Sequence, residues 1–203
     1  MHLVSNFANL QIQKPLFYNW PIGLRFEIGP PDIGTDIGLN DLYFQEAHKR
    51  AVAIFEACFS KDDEIAFVYQ QYSDGRKKIR KSNYVLKQIA QKCIFEHYDV
   101  RDIYELEYKC TCWKRVIVQR LKRSDINYSN ILLALVNTDF ARQPSTNGEC
   151  YFINVTSGLI LNLYDDRGMD VISTTSEVLK PIYERFNDWL LDYDRKEMDA
   201  VFS

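Results

Sequence analysis

Asp165-Asp166-Arg167-Gly168, with Asp170 two residues on, is the most distinctive polar cluster in these 203 residues. Carboxylates grouped this closely can hold a basic group, and an arginine among them can bridge to one through paired N–H groups. A local role is equally readable. An aspartate opening a turn accepts backbone N–H groups, and Gly168 supplies a positive φ. A functional role would be a carboxylate-rich surface on a loop that regular structure holds in place. Arg25 and Glu27, on the polar side of an alternating strand, are the further residues that could complete such a site. Adjacent aspartates alone signal a divalent metal weakly, and neither a metal nor a cofactor is assigned.

Nucleophilic chemistry finds less support. His2, His48 and His97 accompany no G-x-S-x-G elbow, and His48 and His97 read as helix-surface residues. Cys93 and His97 stand four apart on an expected helix, and Cys110 and Cys112 share a face of a strand, a zinc-like set. Their C-x-C spacing is tighter than a zinc knuckle's and cysteines are common in cores, so no catalytic or metal-binding residue is named. The glycines from Gly29 to Gly38 lack G-x-x-x-x-G-K-[ST] and sit among aspartates that repel phosphate. Arg76-Lys77-Lys78-Ile79-Arg80-Lys81 puts five positive charges in six residues. Such a run could hold a phosphate backbone or an acidic partner, although a solvated edge strand is the simpler reading.

The elements that position the acidic turn lie on both sides of it. Cys150 to Val155 and Leu159 to Tyr164 alternate around Thr156-Ser157-Gly158, a hairpin with Gly158 at positive φ. After the turn come a short apolar piece, Met169 to Ile172, and a helix. Its Leu179, Ile182, Phe186, Trp189 and Tyr193 form one stripe that should bury Phe186 and Trp189 against the hairpin. Upstream, Ile22, Leu24, Phe26 and Ile28 face one way along a strand, with Arg25 and Glu27 the other way. That strand is expected in the hairpin's sheet.

Asp41 to Phe59 predicts a helix with Phe44, Ala47, Ala51, Ile54, Phe55 and Cys58 inward, capped by Asn40 or Asp41. Ile65 to Tyr72 predicts a strand, and Ser82 or Asn83 to Phe95 a helix. Ile103 to Tyr108 and Arg115 to Leu121 alternate as strands, and Ile131 to Phe140 reads as a short buried helix. Ala141 to Gly148 is a polar loop, and a helical turn through Met198 and Phe202 ends the chain. The order lacks regular βαβ alternation. It predicts an α+β fold: a mixed, mostly antiparallel sheet with helices packed on it, its C-terminal hairpin closed by a helix. Residues 1–203 read as a single α+β domain, which would divide, if anywhere, near residue 100.

Composition narrows the class further. Hydrophobic residues make up 46% and aromatics 14%, enough for a packed core. A net charge of −3 argues against a general nucleic-acid binder, whose domains run strongly basic. No apolar run approaches the roughly 20 residues that span a bilayer, and no basic-then-apolar leader opens the chain. The five cysteines are scattered, which predicts reduced thiols and a cytoplasmic location. There, the glycosylation-like Asn154-Val155-Thr156 has no consequence.

Four stretches together resemble a bacterial family, the domain of unknown function numbered 3885. They are Tyr18-Asn19-Trp20-Pro21-Ile22-Gly23-Leu24-Arg25-Phe26-Glu27-Ile28-Gly29, then Arg50-Ala51 before Ile54-Phe55, and a C-terminal pair. The pair is Tyr164-Asp165-Asp166-Arg167-Gly168-Met169-Asp170-Val171-Ile172 and Trp189-Leu190-Leu191-Asp192-Tyr193-Asp194. The resemblance spans nearly the whole chain and is thinnest from about 95 to 125. It implies a soluble protein of Gram-positive bacteria and transfers no activity. Some members neighbour polymorphic toxin genes, which implies an immunity role. SUKH-type immunity proteins, which also end in a hairpin, a turn and a closing helix, are a looser analogy of architecture.

Two functions follow as expectations. One is a cytosolic immunity protein that binds and blocks a cognate protein toxin, presenting Asp165, Asp166, Arg167, Asp170, Arg25 and Glu27 as its partner surface. The other is a small-molecule-binding protein or enzyme that uses the acidic turn near Asp165 with Arg25 and Glu27. The sequence leaves the oligomeric state open.

Overall fold

Alternating apolar residues build one sheet, seen in a computed structural model that describes residues 12, 14–35, 40–72, 84–90, 94–101, 112–146 and 148–203. Its strands are β1 (Gly23–Glu27), β2 (Ile65–Tyr72), β3 (Ile94–Arg101), β4 (Cys112–Leu121), β5 (Gly148–Asn154), β6 (Leu159–Leu163) and β7 (Gly168–Ser173). They lie in the order β1-β7-β6-β5-β2-β4-β3. Every pairing among the described residues is antiparallel. The helices are α1 (Asp41–Cys58), α2 (Tyr128–Val136), α3 (Ser176–Arg185) and α4 (Arg195–Phe202). His2, Arg76 to Lys81, Cys93, Cys110 and the expected strand Ile103 to Tyr108 lie outside the described residues.

The period-2 pattern sorts side chains onto two faces. Leu24, Phe26, Phe67, Phe152, Leu161 and Val171 join the larger core with the helices. In α1, the six residues expected to face inward are all buried, and Asn40 caps the helix by accepting the Leu42 N–H at 3.1 Å. Phe152 meets the rings of Phe55 and Phe67, each at 5.0 Å between centroids. On the other face, Val68, Tyr151, Ile153, Ile160 and Ile172 pack with Ile12 and Leu16. The chain before β1, with one short 3₁₀ turn at Phe17–Asn19, therefore forms a strap over the side opposite the helices. Asn154 is fully buried, its amide on Cys58 O and Asp63, so it could not accept a glycan in the folded chain.

Two expected helices differ. Among the described residues of the segment expected to be helical from Ser82 or Asn83 to Phe95 there is a short 3₁₀ turn, Leu86–Gln88, and Phe95 and His97 belong to β3. Ile89 pairs instead with Ile126. His97 therefore stands on a strand and not on a helix face. The C-terminal stripe also breaks: α3 stops at Arg185, 3₁₀ turns follow at Asn187–Trp189 and Asp192–Asp194, and α4 forms two turns. The reason is the open edge of β1. Leu190 bridges to Phe26 and the Leu191 N–H donates to Arg25 O at 2.8 Å, satisfying edge groups that would otherwise be unpaired. Phe186 is buried, Trp189 half-buried and Tyr193 exposed.

Candidate functional site

The β6–β7 turn is assembled by its own residues. Asp165 Oδ1 accepts the backbone N–H groups of Arg167 at 2.8 Å and Gly168 at 3.2 Å. Its Oδ2 takes the Arg167 guanidinium. Asp165 thus builds the turn. Gly168 is required for a different reason than expected. Its φ is not left-handed, but a Cβ there would run into the Tyr164 hydroxyl and ring. The positive φ belongs to Gly158, at 69°, as the hairpin required.

Asp166 lies at the wall of a cleft. Its Oδ2 accepts the Tyr43 hydroxyl at 2.7 Å. Burial raises the Asp166 pKa, Asp165 adds to the rise, and the Tyr43 bond opposes it. Burial, then the Asp166 bond, raises the Tyr43 phenol in turn. The cleft encloses about 450 Å³ between this turn, the loop after β1 and the chain leaving α2, with Glu27, Asp139, Asp166 and Arg167 among its walls. Asp139, Asp165 and Asp166 each bring a carboxylate oxygen within 4.8 Å of the others. Asp165 is spent on Arg167 and the turn, and one Asp166 oxygen on Tyr43. The free oxygens fall short of the roughly six to eight that calcium takes. They suit a cationic group that brings its own hydrogen-bond donors.

Arg25 and Asp170 do not line that cleft. Paired in register across β1 and β7, they lie on the face the strap covers. Arg25 Nε is 3.6 Å from Asp170 Oδ1 and 3.7 Å from Asp194 Oδ2. Arg25 Nη2 donates to the Tyr164 hydroxyl at 3.2 Å, and the guanidinium lies 4.8 Å from the Tyr18 ring centre. From the strap, the Phe17 N–H donates to Asp170 Oδ2 at 3.1 Å, and the Tyr18 hydroxyl donates to Asp194. Asp170 is 0% exposed. Burial pushes its pKa up to about 6, although Arg25 and the Phe17 N–H pull it down. One arginine facing two carboxylates fastens the strap and the C-terminal turn to the sheet.

The six expected surface residues therefore divide. Asp165, Asp166, Arg167 and Glu27 gather at the cleft or its turn, whereas Arg25 and Asp170 form a buried clasp. Asp139 and Tyr43 join the cleft without any local signal, because only the packing of α1 and α2 on the sheet brings them there. Tyr18 and Asp194 join the clasp, and both stand inside the motif stretches of the sequence. Of the histidines, His48 is held between helices, its Nε2 2.9 Å from Ser129 O. Cys58 and Cys150 are buried thiols whose pKa burial raises, the state of inert core cysteines.

The sequence model of one family, described as a domain of unknown function (DUF3885), matches residues 1–194. This chain belongs to the DUF3885 family. The uncharacterized protein YnaE of Bacillus subtilis (strain 168) is 25% identical to this chain over 214 residues, covering 95% of this chain and 96% of YnaE. No solved structure matches. The DUF3885 description assigns no activity. Among the described residues of this DUF3885 chain, no helix is long and apolar enough to cross a membrane.

Proposed function

We propose that this chain is a cytoplasmic binding protein, an immunity protein whose acidic cleft receives a basic group of a cognate toxin. The observation that carries the reading is the cleft itself, where Glu27, Asp139 and Asp166 face one volume of about 450 Å³. Asp166 supports it further. Burial disfavours its charge, and an incoming cation would relieve that cost. Toxins that cleave nucleic acids carry basic clefts, and carboxylates can stand in for phosphate there. Such complementarity speeds association and fixes register.

Co-expression with a toxin encoded beside the gene tests the proposal. Wild type should protect cells, and the double variant Glu27→Lys with Asp139→Lys should not, while its melting temperature stays unchanged. Full protection by a folded double variant removes the cleft as the partner surface. Toxicity that wild type fails to relieve removes the immunity reading. A small cationic ligand is the second reading, favoured by a volume within the roughly 300–1,000 Å³ range of ligand pockets. A rise in melting temperature with arginine or spermidine, lost in the same double variant, would support it.

A further inference from the structure

Tyr193 falls on the apolar stripe of the sequence, yet it stands 88% exposed on the turn Asp192–Asp194. The frame that displays it is firm. Before it, Leu190 bridges to Phe26 and the Leu191 N–H donates to Arg25 O. After it, Asp194, Met198 and Phe202 are buried. Tyr18, 54% exposed, is fixed from beneath. Its hydroxyl donates to both Asp194 oxygens, at 3.0 and 3.1 Å, and Arg25 lies against its ring. Tyr193 directly precedes Asp194, the carboxylate that holds the Tyr18 hydroxyl. Asp192, exposed, adjoins Tyr193, and the clasp beneath Tyr18 sets one arginine against two carboxylates.

We infer that Tyr18 and Tyr193 form a docking platform for an arginine-bearing segment of a protein partner. Charge selects a cation, since across Arg25, Asp170 and residues 188–197 the carboxylates of Asp170, Asp188, Asp192, Asp194 and Glu197 outnumber Arg25, Arg195 and Lys196. Ring chemistry selects arginine over lysine, because a planar guanidinium stacks on an aromatic face while an ammonium stays hydrated. Tyr18 already takes one guanidinium from within its own chain. Preorganisation adds to this: tyrosines held by a fixed backbone lose little side-chain freedom on binding, which is why they serve as anchors in interfaces. The inference rests on the reading of the chain as a binding protein only for the kind of partner. Its site lies apart from the cleft.

The test is an amide and aromatic NMR titration of the full chain with acetylated hexa-arginine amide and, separately, hexa-lysine amide. Hexa-arginine should shift the Tyr18, Asp192 and Tyr193 signals and bind more tightly there than hexa-lysine. Tyr193→Ala, at a side chain too exposed to support the core, should keep its melting temperature and bind about two- to fivefold more weakly, the value of an exposed cation–π contact. Absent shifts at both tyrosines, equal binding of the two peptides there, or unchanged affinity in Tyr193→Ala each overturns the platform. Shifts confined to Asp139 and Asp166 would overturn it while supporting the cleft. Shifts confined to the tyrosines would do the reverse.

Discussion

At Asp170, burial and pairing pull in opposite directions. Burial is the larger influence, and the carboxyl titrates near 6 against about 3.9 in an unfolded chain. The folded protein therefore binds more protons than the unfolded one between those values. This group's contribution is fully present below about pH 4 and is lost as pH rises through about 6. Compared with Asp170→Asn, which cannot titrate, wild type should gain roughly 2–3 kcal/mol of relative stability at pH 4 over pH 7. Denaturant unfolding at the two pH values measures the difference, and an equal gap at both would show that the carboxyl is not desolvated. Alternation in the sequence put Arg25 away from the helices correctly. It could not reveal that a strap covers that side, because the contact between Phe17 and Asp170 spans 153 residues.

Among the elements, β1, α1, β2 and the β5–β6 hairpin were legible because each follows one regular period, 3.6 along the helix and two along the strands. The C-terminal segment was not. Phe186, Trp189, Leu190 and Tyr193 fit a helix period, but pairing of Leu190 and Leu191 with the β1 edge is non-local and overrides it. The consequence is an order of stabilities. Phe152, fully buried among Phe55, Phe59 and Phe67, should cost about 3–5 kcal/mol when changed to Ala. Trp189 is half-buried, stacked on Phe186 at 5.1 Å and faced by Arg50 at 5.4 Å. Trp189→Ala should cost only about 1–2 kcal/mol. Urea midpoints of the two variants test the ranking, and a Trp189 loss as large as that of Phe152 would restore the single buried stripe.

For the molecule as a whole, strands β2, β5, β6 and β7 are covered on both faces by different means, helices on one and the strap on the other. Leu16, fully buried in the strap's cluster, should cost about 2–5 kcal/mol as Leu16→Ala. An unchanged midpoint would mean that the strap is not part of the core. The same arrangement leaves the acidic cleft and the proposed tyrosine platform facing outward while Asp170 and Arg25 hold the frame, so the proposed contacts and the support fall to residues that looked alike in sequence. The proposed function turns on the cleft. Its direct test is calorimetric titration of the purified chain with the purified catalytic domain of a toxin encoded beside its gene, at low and high salt. Binding should be tight, weaken with salt and fall at least about tenfold, some 1.4 kcal/mol, in the Glu27→Lys, Asp139→Lys variant. Equal, salt-independent affinity of wild type and variant would contradict it.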